Sequence, residues 1–364
     1  MGAFYQIFFL ILSFNAFLPF AFAAHRSLRP IYKPDLLNRR DDVPTALDGW
    51  ALYSTYNDYC ETNDDSYAEV PDASSQGTVD NAEKRLTYYS EFDCEDRTLT
   101  WSSLIAQTVY SSLFKAKLDD YDQDVVMKRS RGQGPLMLHG ASLQQQFSGA
   151  INILDVIDYV WVSAGRKAGY LIMPYISDGS VADKLDTYSA SGQDTVNKAF
   201  KQILTGVNVI QAAGVMHRDI KPANVLIDGD TLKLADFDYS LQKDTSNEYA
   251  IGTDGYIAPE VVRMTTYDMK VDTFALGMTW MVMSVPSLAD NNNEKLLLLW
   301  KSVLTERDGN TYLEASQVED TLNSYEVLQK DATLRSLIAK TLCGPDERLT
   351  VAELYTQFSN VAGV

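Results

Sequence analysis

The sequence predicts an α+β fold, and two stretches carry that prediction. Phe200, Ile203, Leu204, Val207 and Ile210 recur at the spacing of one helical face, and Gly214 follows as a stop. Val225-Leu226-Ile227 and Leu232-Lys233-Leu234 flank Asp228-Gly229-Asp230, the pattern of a short β-hairpin. With 364 residues, 46% of them hydrophobic, the chain can bury a sizeable core and form one large or two small domains. That apolar content excludes disorder throughout, and three cysteines exclude a disulfide-dense scaffold. The formal charge of −18 excludes a nucleic-acid binder, which needs a basic face against phosphates. Three histidines and three scattered cysteines leave little from which to build a zinc site.

The elements follow in chain order. Residues 1–23 carry no charged side chain and end in Ala21-Phe22-Ala23, the small-x-small pattern that precedes a signal-peptide cut. Once that segment is cleaved no membrane span is expected, because no other apolar run approaches about 20 residues. Residues 24–40 hold five Arg/Lys against Asp35 and end in the dibasic Arg39-Arg40, the form of a short pro-segment. Residues 41–96 carry fifteen Asp/Glu against Lys84 and Arg85 and form an acidic extension. The middle of that extension, about residues 62–81, is polar and aperiodic and reads as a disordered linker. Trp50, Tyr53, Tyr56 and Tyr59 share one helical stripe, the pattern of a segment docked on a core. Cys60 and Cys94 flank the linker and are candidates to pair in an oxidising compartment, leaving Cys343 free.

The chemistry centres on His217-Arg218-Asp219-Ile220-Lys221-Pro222-Ala223-Asn224, with Asp236-Phe237 twelve residues on. The predicted helix delivers an acidic loop, and the predicted hairpin carries a second acid back beside it. Phosphoryl transfer needs this arrangement: one carboxylate orients a hydroxyl, while Asn and Asp oxygens hold Mg²⁺ on the phosphates.

These residues resemble the eukaryotic protein-kinase family over about residues 100–360. The resemblance implies Asp219 as catalytic aspartate, Lys221 as the cation near the γ-phosphate, and Asn224 and Asp236 as metal ligands. Lysine two residues after the aspartate is the Ser/Thr-kinase form of the loop. Gly252-Thr253-Asp254-Gly255-Tyr256-Ile257-Ala258-Pro259-Glu260 resembles the end of an activation segment, and Arg348 is the expected ion-pair partner of Glu260. Asp272 resembles the buried acid that braces the catalytic loop. Thr245, Ser246, Tyr249 and Thr253 are candidate phosphoacceptors, Thr253 matching a structural threonine more closely, and Arg218 is the cation for a loop phosphate.

In the N-terminal part, Val125-Val126-Met127-Lys128 is similar to the strand whose lysine holds the α- and β-phosphates. The glycine-rich loop aligns with Ala106, Thr108 and Ser111, with Leu113 in place of the usual valine. A stiffer, less close-fitting phosphate loop is therefore expected. The following helix should supply a glutamate for Lys128, yet it offers only Ser142, Leu143, Gln144, Gln145 and Gln146. The metal loop reads Asp236-Phe237-Asp238, with an aspartate in place of glycine, and the sequence suggests a surface role for Asp238 over metal binding. Met173 takes the gatekeeper position, and main-chain groups of Pro174, Tyr175 and Ile176 are expected to face adenine.

The resemblance thus implies a two-lobed fold with a small β-rich lobe at 97–173, a hinge at 174–176 and a larger helical lobe at 177–364. The expected function is a Ser/Thr protein kinase of the secretory pathway, using ATP with Mg²⁺ or Mn²⁺ on a protein substrate. Two rivals stand beside it: a pseudokinase that acts as a binding scaffold, and a small-molecule kinase, which the Ala258-Pro259-Glu260 segment disfavours.

Overall fold

The computed structural model describes residues 84–359 apart from 91–94, 109, 132–133, 163–167, 250, 290–293 and 304–311. The expected signal and pro-segments, the Trp50 stripe and the Cys60–Cys94 pair lie outside the described residues.

The small lobe is an antiparallel sheet of β1 (Lys84–Ser90), β2 (Glu95–Gln107), β3 (Ser111–Leu118), β4 (Asp124–Ser130), β5 (Asp158–Val162) and β6 (Ala168–Pro174), with helix α1 (Gly134–Gln145) between β4 and β5. The strand order is β1-β2-β3-β4-β6-β5. Alternation along the strands divides the side chains between two faces. Trp101, Phe114, Ala116, Leu118, Val125 and Met127 form one apolar cluster with Leu86 and Tyr88 of β1. Val126, Leu171 and Met173 point the other way, towards Met137 and Ala141 of α1. Each such Leu, Met or Phe contributes about 1.5–3 kcal/mol by leaving water.

The sheet begins earlier than the sequence places the domain start. β1 pairs along its whole length with β2, from Lys84↔Trp101 to Ser90↔Glu95, and residue 97 falls inside β2. The last part of the acidic extension is therefore a strand of the small lobe.

In the large lobe, α2 (Leu185–Ala190) and α3 (Gln193–Ala212) lead to β7 (Val215–Met216), β8 (Val225–Asp228), β9 (Thr231–Leu234), β10 (Leu241–Gln242) and β11 (Thr245–Ser246). Next come α4 (Pro259–Val262), β12 (Tyr267–Asp268) and α5 (Lys270–Ser284). The chain ends with α6 (Glu294–Ser302), α7 (Ala315–Leu322), α8 (Glu326–Gln329), α9 (Ala332–Leu342) and α10 (Val351–Phe358). The predicted helical face at 200–210 is the buried face of α3, and the chain leaves that helix through Gly214 at φ 76°. The predicted hairpin is β8–β9, paired from Val225↔Leu234 to Asp228↔Thr231.

Helix α5 is buried from Val271 to Ser284, which makes it the axis of this lobe. Its Trp280 stacks on Phe200 of α3 with ring centroids 4.3 Å apart, and meets Phe358 of α10 edge-on at 4.9 Å. Gly277 lets α9 approach: a Cβ there would lie 2.0 Å from Thr341 Oγ1.

The two lobes are joined by backbone as well as by the chain crossing. Leu154 N donates to Leu234 O and Leu234 N to Asn152 O, both at 2.9 Å, so the segment after α1 extends the β8–β9 hairpin. Among the described residues no helix is long and apolar enough to cross a membrane.

Candidate active site

The acidic loop after β7 is fixed by a carboxylate from below. Asp272, fully buried on α5, accepts from the backbone N–H groups of His217 and Arg218 at 2.8 Å each, and from Gln211 Nε2 at 3.1 Å. A buried carboxylate is tolerated only with such donors, and here they impose the backbone path, including Arg218 at φ 66°. His217 Nδ1 accepts from Asp219 N at 3.3 Å, which leaves Nε2–H to donate to Ala235 O at 3.2 Å. Burial lowers the His217 pKa, in keeping with a neutral ring. That ring meets Phe237 edge-on at 4.7 Å and so couples the acidic loop to the loop after β9.

Asp219 is the most tightly held carboxylate of the cleft. It accepts from Lys221 Nζ at 2.9 Å, Asn224 Nδ2 at 2.9 Å and Thr253 Oγ1 at 2.6 Å. Lys221 Nζ also donates to Thr253 Oγ1 at 2.6 Å. Thr253 therefore belongs to the catalytic loop's own network, as the structural reading of that residue requires. Asn224 commits its Nδ2 to the carboxylate and to Asp219 O, which leaves Oδ1 as a hard oxygen donor for a cation. Ala235 N donates to Asn224 O at 2.9 Å, which brings Asp236 alongside Asn224.

Asp236 takes φ 65°, a left-handed conformation that turns its carboxylate into the cleft with 40% of the side chain exposed. There it accepts from Lys128 Nζ at 2.7 Å. The same ammonium lies 2.8 Å from Asp238, whose side chain is 25% exposed. This corrects the sequence reading of Asp238: it is an ion-pair partner of Lys128 rather than a simple surface residue. Burial works against the charge of Lys128, but the two carboxylates outweigh it and raise the lysine's pKa. Burial also lifts Asp236, yet Lys128 reverses that effect and holds the carboxyl well below the usual range. At Asp238 burial prevails over Lys128, and Asp236 adds to it, pushing the pKa up to about 6. Gln144 makes no compensating contact with the lysine; fully buried, it donates from Nε2 to Leu154 O at 2.8 Å.

The three positions aligned with glycines fall on different parts of a tight hairpin. Ala106 lies near the end of β2, Thr108 in the turn, and Ser111 is buried at the start of β3. The Thr108 hydroxyl accepts from Tyr110 N at 3.2 Å and Ser111 N at 3.0 Å. Arg131 clamps the turn from outside, its Nη1 donating to Thr108 O at 3.1 Å. These amides are held inside the turn, whereas a glycine-rich loop would aim its amides at phosphates.

Met173 and Pro174 close β6, Tyr175 N donates to Asp124 O at 3.0 Å, and Ile176 is buried. Ile105, Leu113, Val126, Met173, Leu226 and Ala235 belong to one apolar cluster drawn from both lobes. Leu226, read only as a strand residue, and Ala235, directly before Asp236, were not marked as site residues by the sequence.

Arg218 ties down the segment between the metal loop and α4. Arg218 donates from Nη1 to Glu248 at 2.7 Å and to Tyr267 Oη at 3.0 Å, and from Nε to Tyr239 O at 2.6 Å. The cation expected to receive a loop phosphate already holds a carboxylate. Tyr249 is 58% exposed and Thr245 is exposed. Glu260 and Arg348, both buried, form the expected two-pronged pair, with Nη2 donating to Oε2 at 3.2 Å.

Among the described residues no group of three or more His, Cys, Asp or Glu side chains is arranged to hold a metal. The Asn224 and Asp236 oxygens suit Mg²⁺, which takes one or two protein ligands and completes its shell with phosphate and water.

Known proteins similar to this chain include several protein kinases. The chain is 31% identical to CBL-interacting protein kinase 9 of Oryza sativa subsp. japonica over 41% of its own length and 34% of that protein's. It is 25% identical to probable serine/threonine-protein kinase 2 of Plasmodium falciparum over 53% of its length and 37% of that protein's. It is 28% identical to probable serine/threonine-protein kinase ECU02_0550 of Encephalitozoon cuniculi over 58% of its length and 40% of that protein's. The chain thus spans between about a third and two fifths of the length of these curated relatives. The family model described as "Protein kinase domain" matches residues 103–358, well over half of the chain, and this chain belongs to that family.

Proposed function

We propose that the protein is a Ser/Thr protein kinase that transfers the γ-phosphate of ATP to a hydroxyl of a protein substrate in the secretory pathway or outside the cell. The observation that carries the reading is the Asp219 carboxylate, buried and held by Lys221, Asn224 and Thr253. A carboxylate so fixed orients an incoming hydroxyl and takes up its proton as the new P–O bond forms and the β–γ bridge breaks. Lys221, bound to Asp219, lies beside the place where charge develops on the transferring phosphoryl group. Lys128 holds the α- and β-phosphates, and adenine lies against the apolar cluster around Met173, with the Pro174–Ile176 main chain at its edge. Asn224 and Asp236 would hold Mg²⁺ or Mn²⁺, which screens the phosphate charges when bound. Lysine at position 221 and the Ser/Thr kinases among the relatives support serine or threonine as acceptor. The uncharged residues 1–23 and Ala21-Phe22-Ala23 support a secretory route.

Transfer of radiolabel from γ-labelled ATP by the full chain, beside Asp219→Asn, tests the reading. Label incorporation lost in the variant supports it. A scaffold without transfer is the second reading, favoured by the Thr108 turn, which withholds two backbone amides from phosphate. Absence of transfer by wild type, with partner binding retained by Asp219→Asn, would establish that reading instead.

A further inference from the structure

We infer that Asp238 is the positioning residue for Lys128, supplying from the loop after β9 the negative charge that helix α1 lacks. The inference rests on reading the cleft as a nucleotide site, and three separate observations meet in it.

The first is the demand. Lys128 is 6% exposed and must stay charged to hold phosphates, so it needs a permanent counter-charge. Only Asp236 and Asp238 pair with it among the described residues, at 2.7 and 2.8 Å. The second is that Asp236 has another duty. Its oxygens are required for the divalent cation, and a lysine paired to Asp236 alone would compete with that cation. Asp238 keeps Lys128 in place while Asp236 is engaged.

The third is steric. Helix α1 carries no acid and faces the loop through Gly140. A Cβ at 140 would sit 2.3 Å from Phe237 O and 2.8 Å from Asp238 Cα. Backbone meets backbone there, and any side chain at 140 would drive helix and loop apart. The nearby Gln144 is turned away to Leu154 O. The helix therefore contributes proximity and the loop contributes charge. An ammonium on a four-carbon stem is otherwise free to swing, so the acid's work is to fix its place.

The experiment uses the full chain as wild type, Asp238→Asn, Lys128→Met and the double variant. Calorimetry with Mg·ATP reads affinity, and a melting curve without nucleotide reads the pair itself. Asp238→Asn should weaken Mg·ATP binding about tenfold, the loss expected for one charge-assisted hydrogen bond. The same change in the Lys128→Met background should cost nothing further. Asp238→Glu, which keeps the charge, should recover most of the affinity. In the melting series, Asp238→Asn should lower the midpoint when introduced into wild type but not when introduced into Lys128→Met.

Wild-type affinity in Asp238→Asn, or equal losses with and without Lys128, would overturn the inference; the second result would make Asp238 a metal ligand. Loss of affinity in Asp238→Glu equal to that in Asp238→Asn would also overturn it, since charge would then not be what matters. If wild type binds no Mg·ATP, the nucleotide reading has failed. The melting series then decides the Lys128–Asp238 pair by itself: non-additive midpoints support it, additive ones end it.

Discussion

The two walls of the cleft are built to different tolerances. On the large-lobe wall, Lys221, Asn224 and Thr253 all hold Asp219, and the loop beneath is pinned through Asp272 to a helix buried from Val271 onward. On the small-lobe wall, a threonine turn replaces a glycine loop, and the lysine's counter-charge comes from the opposite lobe. Orienting the reacting hydroxyl requires placement to a fraction of an ångström. Gripping the phosphates can be shared among amides, lysine and cation. Under the proposed function, the difference teaches that the phosphate grip is drawn from both lobes while the reacting carboxylate is held within the large lobe.

The largest effect should fall on the large-lobe wall. Asp219→Asn should reduce transfer about 10²–10⁴-fold, the usual worth of a positioned general base. Its ATP affinity, measured by calorimetry, should stay near wild type. Comparable losses of transfer and affinity would break the contrast between the walls.

Arg348→Met should follow, because it strands Glu260 as an unpaired buried charge. The expected destabilisation is about 3–5 kcal/mol, read from urea unfolding of the large lobe. A change below about 1 kcal/mol would show that water reaches Glu260.

Gly140→Ala probes the small-lobe wall and should cost about 1–3 kcal/mol, as overpacking does. Its distinctive mark is weakened nucleotide binding at temperatures where the protein remains folded, because the added methyl displaces Phe237 and Asp238. An alanine variant that binds nucleotide normally would show that the helix can retreat without moving the loop.

Thr108→Gly is the mildest change. It frees the Tyr110 and Ser111 amides for phosphate and should tighten ATP about two- to tenfold, the worth of one modest hydrogen bond. Weaker binding in this variant would mean that the closed turn itself is part of the nucleotide site.

Legibility in the sequence followed the same division. Part of the Asp219 site is local, since Asp219, Lys221 and Asn224 lie within six residues, whereas its remote partners Thr253 and Asp272 were marked only by the resemblance. The β8–β9 hairpin and α3 were readable from period and turn residues. The Lys128–Asp238 pair was not, because nothing local marks an acid in one lobe as the partner of a lysine in the other. The Glu248–Arg218 pair was missed for the same reason: an acid in a polar segment looks solvated until the fold places a buried guanidinium beside it. Strand β1 was hidden by its setting, since its Leu86 and Tyr88 alternate over too few residues to stand out from an acidic stretch.

That first strand also bears on how the protein can be cut. The family match begins at residue 103, in the middle of β2, and a fragment started there would lose β1, Leu99 and Trp101 together. Phe114, which packs on Trp101 with ring centroids 6.4 Å apart, would then face water. The end of β3, Ala116 to Leu118, would become an open edge, with unpaired N–H and C=O groups beside a bare apolar face. Such an edge recruits strands from neighbouring molecules. Precipitation of that fragment would report a missing strand rather than a defective catalytic domain, and a start at or before Lys84 keeps the edge covered.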